Sequence, residues 1–237
     1  MSKTLKPERD DSEAELRSFG RRRGRKLSPR QDALLADVLP RVGLDLTMPA
    51  PEPLSQLFAV PVREIWLEIG FGGGEHLREQ ARRHPDVGFI GAEPFVDGVV
   101  KVLDRIAVDE IANIRLYPDD VRDVLRWLPL ASVDRVFILF PDPWPKARHI
   151  KRRLVNPQLL EHLARVMRRH AELCIATDIP DYARTILLAQ RASSAFVWPA
   201  DSAKDWQLRR NDWVETRYET KAIAAGRRCT YLNFHRR

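Results

Sequence analysis

Five short apolar runs, each followed by an amphipathic stretch, leave this chain very few ways to fold. The runs span 65–69, 87–92, 114–117, 133–140 and 173–177. The stretches between and after them predict helices near 75–84, 96–108, 120–127, 157–169 and 181–191. The runs are nearly continuous rather than alternating, as in strands buried on both faces of a parallel sheet. Residues 196–198 and 228–234 read as two more strands joined by a long connector, which predicts an antiparallel edge. The expected fold is therefore α/β and Rossmann-like, a mostly parallel sheet with helices on both faces and an antiparallel C-terminal edge.

The 237 residues suffice for one such domain and a short extension. We expect a basic N-terminal arm over 1–30 and a single domain over 31–237. Residues 1–16 mix charges with little apolar content and are expected to be disordered unless bound. From Arg17 to Arg30 there is no acid, and Arg21, Arg22, Arg23, Arg25 and Lys26 concentrate positive charge. Ser28-Pro29 followed by Asp32 predicts a helix start. Residues 47–61, with four prolines, read as a connector. The formal net charge of +7 favours a polyanionic partner. The two cysteines, Cys174 and Cys229, lack metal-ligand spacing and make no disulfide framework, so no metal is expected. No stretch is apolar enough to span a membrane and no signal peptide is evident, which predicts a cytoplasmic protein.

The first predicted strand runs into Glu68-Ile-Gly70-Phe-Gly72-Gly-Gly74-Glu75 and then a helix. Glycines bring backbone close to a ligand, and a helix N-terminus offers unpaired N–H groups. The dinucleotide fingerprint would place a third glycine at 75, where Glu75 stands. Gly70, Gly72 and Gly74 behind an acid better suit S-adenosylmethionine (SAM), whose ammonium can pair with Glu68. Glu93 follows the second strand, where ribose hydroxyls would bind, and Asp120 follows the third, within reach of an adenine amine. Three acids recurring at one end of successive strands mark the edge where open α/β sheets bind ligands.

The fourth strand stops at Pro141-Asp142-Pro143-Trp144-Pro145. Prolines on both sides restrict the backbone around one carboxylate. Lys146, Arg148, Lys151, Arg152 and Arg153 follow without an acid among them. A single surface Arg is ordinarily a solvated charge; clustering in two places is what points to RNA phosphates. Trp144 reads equally as a base-stacking group or as packing. Asp142 is the expected catalytic residue, a fixed carboxylate placed to grip a nucleic-acid base. The chain shows no Ser/His/Asp or Cys/His constellation, so alignment and charge stabilisation are the expected means of catalysis.

These motifs closely resemble the bacterial tRNA (guanine-N7)-methyltransferases. The matching segments are residues 17–25, Leu67-Glu-Ile-Gly-Phe-Gly-Gly-Gly74, Gly91-Ala-Glu-Pro94, Asn113-Ile-Arg115 with Asp120, Phe140 to His149 with Lys151-Arg-Arg153, Ala176-Thr-Asp178, and Thr216-Arg-Tyr-Glu219 with Lys221 and Gly226. The Pro-Asp-Pro-Trp segment is highly specific; the glycine turn is shared by many methyltransferases. Residues 1–16 and the proline-rich connector lie outside the resemblance. It implies a class I SAM-dependent methyltransferase fold and methyl transfer to a variable-loop guanine, position 46 of tRNA. It also implies that Glu68, Glu93, Asp120 and Asp142 hold cofactor or reaction centre, while Lys146, Asp178, Thr216, Arg217, Tyr218 and Glu219 hold the guanosine. Other readings of the residues are a SAM methyltransferase on another nucleic-acid atom or a small molecule, an NAD-dependent dehydrogenase, and a non-enzymatic RNA-binding module.

Overall fold

The structure, a computed structural model, describes Gly20, Arg22, Gly24 and residues 26–237. The expectation for residues 1–16, and the arm cations Arg21, Arg23 and Arg25, lie outside the described residues. Among the described residues, seven strands form one sheet in the order β3-β2-β1-β4-β5-β7-β6. They are β1 (Glu64–Ile69), β2 (Val87–Ala92), β3 (Ile114–Tyr117), β4 (Val133–Leu139), β5 (Met167–Thr177), β6 (Phe196–Val197) and β7 (Thr230–Arg236). The first five pair with one another in parallel, and β7 lies antiparallel between β5 and β6. This is the mostly parallel sheet with an antiparallel edge that the alternating pattern predicts.

Helices α1 (Pro29–Ala33) and α2 (Leu39–Val42) lead in, joined by a wide π turn over Leu34–Val38. Ser28 caps α1 in a reciprocal box with Gln31, as the Ser-Pro start predicts. Pro40 has no N–H to donate, and Leu39 N–H reaches back to Leu34 O. The sheet is then flanked by α3 (Glu75–Arg83), α4 (Val96–Asp109), α5 (Val121–Trp127), α6 (Pro157–Val166) and α7 (Pro180–Ala192). Short α8 (Lys204–Gln207) and α9 (Arg217–Ala224) occupy the connector before β7, and single 3-10 turns cover Leu54–Leu57 and Ala147–Arg152. The helix predicted to 169 stops at Val166, because Met167 already pairs with Val133 as the first residue of β5.

Two-residue periodicity divides the core between the faces of the sheet. Leu67, Val136, Ile138, Leu173 and Ile175 pack on one side against α5, α6 and α7. Trp66, Phe137, Leu139, Cys174 and Ala176 pack on the other with Leu77 of α3 and Val102 and Leu103 of α4. Cys174 and Cys229 are both free and buried. No described helix is long and apolar enough to cross a membrane. Among the described residues no group of His, Cys, Asp and Glu is arranged to hold a metal ion.

Candidate active site

The carboxyl ends of β1, β2 and β4 bring Glu68, Glu93 and the Asp142 turn to one edge. After β1 the chain turns through Gly70 (φ 73°), Gly72 (φ 55°) and Gly74 (φ 72°), left-handed values that side chains resist. The close packing is equally restrictive: a Cβ on Gly74 would stand 2.2 Å from Val102 Cγ2 of α4. Space beside Gly70 is open, with nothing within 4 Å of where a Cβ would lie. Glu93 pins the turn, its Oε2 accepting from Gly72 N at 2.7 Å and its Oε1 from Phe95 N at 2.9 Å.

Burial raises the Glu93 carboxyl above the usual range in spite of those two bonds, and the charges of Asp142 and Glu68 push the same way. Burial also raises Asp142, although its side chain still reaches solvent at the rim. Acids that repel one another at an open glycine turn fit a ligand bringing positive charge and hydroxyl donors. SAM has both. Glu68, Glu93 and Asp142 are the residues that would meet them.

The Asp142 turn is held under tension and from beneath. Phe140 (φ 52°) and Trp144 (φ 42°) are left-handed without being glycine, a strain of about 1–2 kcal/mol each. Phe140 N–H donates to Ala176 O at 2.8 Å, anchoring one arm of the turn to β5. Arg153 anchors the other: its Nε donates to Pro143 O at 3.0 Å, and its terminal nitrogens reach Thr185 Oγ1 and Asp181 Oδ2, both at 2.5 Å. It is 2% exposed. This corrects the expectation for Arg153, which is a buried clamp and not a surface cation available to phosphate. Lys146, Arg148 and Lys151 are exposed as expected, and the Arg152 guanidinium lies 5.0 Å from the Trp144 ring centre.

Several predicted site residues carry structural partners. Asp120 caps α5, accepting from Arg122 N at 3.0 Å and pairing with the Arg122 guanidinium at 2.9 Å. Asp178 pairs with Arg227 at 2.6 Å. Thr216 caps α9 by accepting from Glu219 N at 3.2 Å. Glu219 itself is 3% exposed and accepts from Tyr231 Oη at 2.6 Å and Arg209 Nε at 2.8 Å. Burial, and then that bond, drive the Tyr231 phenol well above its ordinary value. Arg217 and Tyr218, by contrast, reach the glycine turn. A Cβ on Gly72 would lie 3.2 Å from the Tyr218 ring, and Arg217 Nε stands 3.6 Å from Glu75 Oε1. Of the arm, Arg22 O accepts from Val96 N at 3.1 Å, Arg22 pairs with Asp119 at 2.7 Å, and Gly24 N donates to Asp97 at 3.2 Å. Lys26 is exposed.

Sequence reasoning missed His76, buried against Glu68, and Gln80, buried behind His76. The signal was available. In α3 the buried residues are His76, Leu77, Gln80 and Ala81, an inward stripe at helical spacing in which two positions are polar.

A parallel sheet with the β3-β2-β1-β4-β5-β7-β6 order, a glycine turn after β1 and acids at successive strand ends define a class I SAM-dependent methyltransferase. Residues 62–232 match the family model described as "Putative methyltransferase". The crystal structure of the 16S rRNA methyltransferase KamB shares the fold, with TM-score 0.53 at 12% identity over 80% of this chain and 95% of that one. A "tRNA (guanine-N(7)-)-methyltransferase" of Chelativorans sp. (strain BNC1) is 50% identical over 92% of this chain and 94% of its own. The protein of the same name from Rhodospirillum rubrum is 47% identical over 98% of this chain and 91% of its own. The chain belongs to the bacterial tRNA (guanine-N7)-methyltransferase family.

Proposed function

We propose that this protein transfers the methyl group of SAM to N7 of a guanine in the variable loop of tRNA, position 46, in the cytoplasm. The observation that carries the reading is Asp142, a carboxylate in a strained turn between prolines at the cofactor edge, followed by the exposed cations Lys146, Arg148 and Lys151. When bound, SAM supplies an electrophilic methyl: the N7–carbon bond forms as the carbon–sulfur bond breaks, and its electron pair stays on sulfur. The positive charge passes to the purine, and no proton need move for the attack. Asp142 accepts from guanine N1–H and the exocyclic amine, orients N7 and stabilises the cationic product.

Glu68 meets the cofactor's ammonium, and Glu93, through oxygens already fixed by Gly72 and Phe95 amides, meets the ribose hydroxyls. Asp120 takes the adenine amine at the end of β3. Lys146, Arg217 and Tyr218 lie outermost and contact the guanosine, with Asp178, Thr216 and Glu219 supporting them. Arg148, Lys151 and Arg152, with Arg22, Lys26 and the other arm cations, follow the phosphates. Tritium incorporation from labelled SAM into bulk tRNA, followed by mapping of the modified nucleotide, tests the reading. Label confined to a variable-loop 7-methylguanine is expected. Label on another atom or none would refute it, and Asp142→Ala should abolish incorporation while the protein stays folded.

A further inference from the structure

Glu68 does not stand alone at the end of β1. Its Oε2 lies 2.7 Å from His76 Nδ1, with Glu68 4% and His76 1% exposed. On the far side of the imidazole, Gln80 Nε2 lies 3.2 Å from His76 Nε2 and donates to Asp212 O at 2.6 Å. Gln80 is fully buried. Phe137 closes over the imidazole with its ring centre 4.5 Å away.

The chain of contacts fixes every proton in it. Asp212 O is a carbonyl and can only accept, so the Gln80 atom facing it is the amide nitrogen; the flipped amide would set two oxygens together. The second hydrogen of that nitrogen is then directed at His76 Nε2, which must accept. With Nε2 accepting, the ring proton sits on Nδ1, and Nδ1–H donates to Glu68 Oε2. One carboxylate oxygen is thereby engaged, and the other remains for a ligand. Asp212 is itself fixed, by Arg135 at 3.0 Å and Arg210 at 3.0 Å.

We propose that His76, set in its Nδ1–H tautomer by Gln80, is the positioning residue that holds Glu68 for the ammonium of SAM. The proposal rests on the assignment of Glu68 to that ammonium, and it adds a part of the machinery that lies a layer behind the cofactor. Without the bond, Glu68 would be a buried carboxylate lacking this donor and free to rotate. The Asp212 carbonyl precedes the buried Trp213 and the cap of α9. The same chain therefore ties the cofactor acid to the segment that carries Arg217 and Tyr218.

Nitrogen-15 spectra of the full-length protein read the tautomer directly, and a proton on His76 Nε2 would overturn the proposal without any substitution. Calorimetric titration with SAM, and with methylthioadenosine, which lacks the amino-acid portion, tests the function. His76→Leu should weaken SAM about tenfold, the scale of one bond to a charged group, and leave methylthioadenosine unmoved. His76→Asn, whose amide can replace Nδ1–H, should restore most of the loss. In turnover, KM for SAM should rise while kcat and KM for tRNA hold. If Glu68→Gln binds SAM as the wild type does, the ammonium assignment fails. If Glu68→Gln weakens SAM but His76→Leu and Gln80→Met do not, the positioning role fails. Should His76→Leu not fold, Gln80→Met and the wild-type spectrum decide.

Discussion

Around Asp142, neighbouring cations do different work. Lys146, Arg148 and Lys151 point into water, whereas Arg153 spends its hydrogens on Pro143 O, Thr185 and Asp181. Arg148→Ala and Lys151→Ala should each lower the salt slope of tRNA binding by about one and leave stability alone. Arg153→Ala should leave the slope unchanged and lower stability by about 2–4 kcal/mol in urea melts, since it empties a buried clamp. A changed slope for Arg153→Ala would return it to the RNA interface. The raised carboxyls give a second prediction. Glu93 and Asp142 hold protons more readily folded than unfolded, so they stabilise the fold below their unfolded values, and this contribution is lost as pH rises through the folded ones. A cationic ligand favours the ionised forms. SAM binding should therefore release protons, and weaken as pH falls, in the acidic range above about 4. Calorimetry at about pH 5 in buffers of different ionisation heat reads the protons released; none would separate these acids from the cofactor. The acids were legible in the sequence because each ends a strand. The burial of Arg153 was not, because it depends on α7 lying beneath the turn.

At the scale of elements, the glycine turn and α4 are one unit. Gly74→Ala would combine a left-handed φ with a Cβ 2.2 Å from Val102, costing about 2–4 kcal/mol. Gly72→Ala would meet the Tyr218 ring at 3.2 Å, its hydroxyl at 3.3 Å and the Arg217 guanidinium at 3.6 Å, all side-chain ends. It should cost about 1–2 kcal/mol of backbone strain and shift affinity for SAM more than stability. Denaturation curves and titrations of the pair check the contrast, and equal stability losses would undo it. The five parallel strands stand out in the sequence because burial on both faces writes itself as apolar runs. The start of α9 was written too, as Thr216-Arg-Tyr-Glu219 with a cap three residues ahead of an acid. The resemblance instead assigned those residues to the substrate. The structure shows two of them, Thr216 and Glu219, as cap and buried partner. Short α8 left no comparable signal, since four residues carry no period.

For the whole molecule, the excess of positive charge is divided between the strip after β4 and the N-terminal arm. The described part of the arm meets the start of α4 and Asp119 after β3. Deleting residues 1–26 should weaken tRNA binding and flatten its salt dependence. Unchanged affinity would confine RNA contacts to the domain itself.

The position of β7 bears on how the molecule is made. β5 ends at Thr177, yet the strand that covers its open side begins at Thr230. During synthesis at about 5–20 residues per second, that side stays bare for roughly 3–10 s. Its unpaired N–H and C=O groups, flanked by apolar side chains, then offer a docking line for any other extended chain. A newborn copy should therefore depend on chaperone shielding in that interval more than its finished stability would suggest.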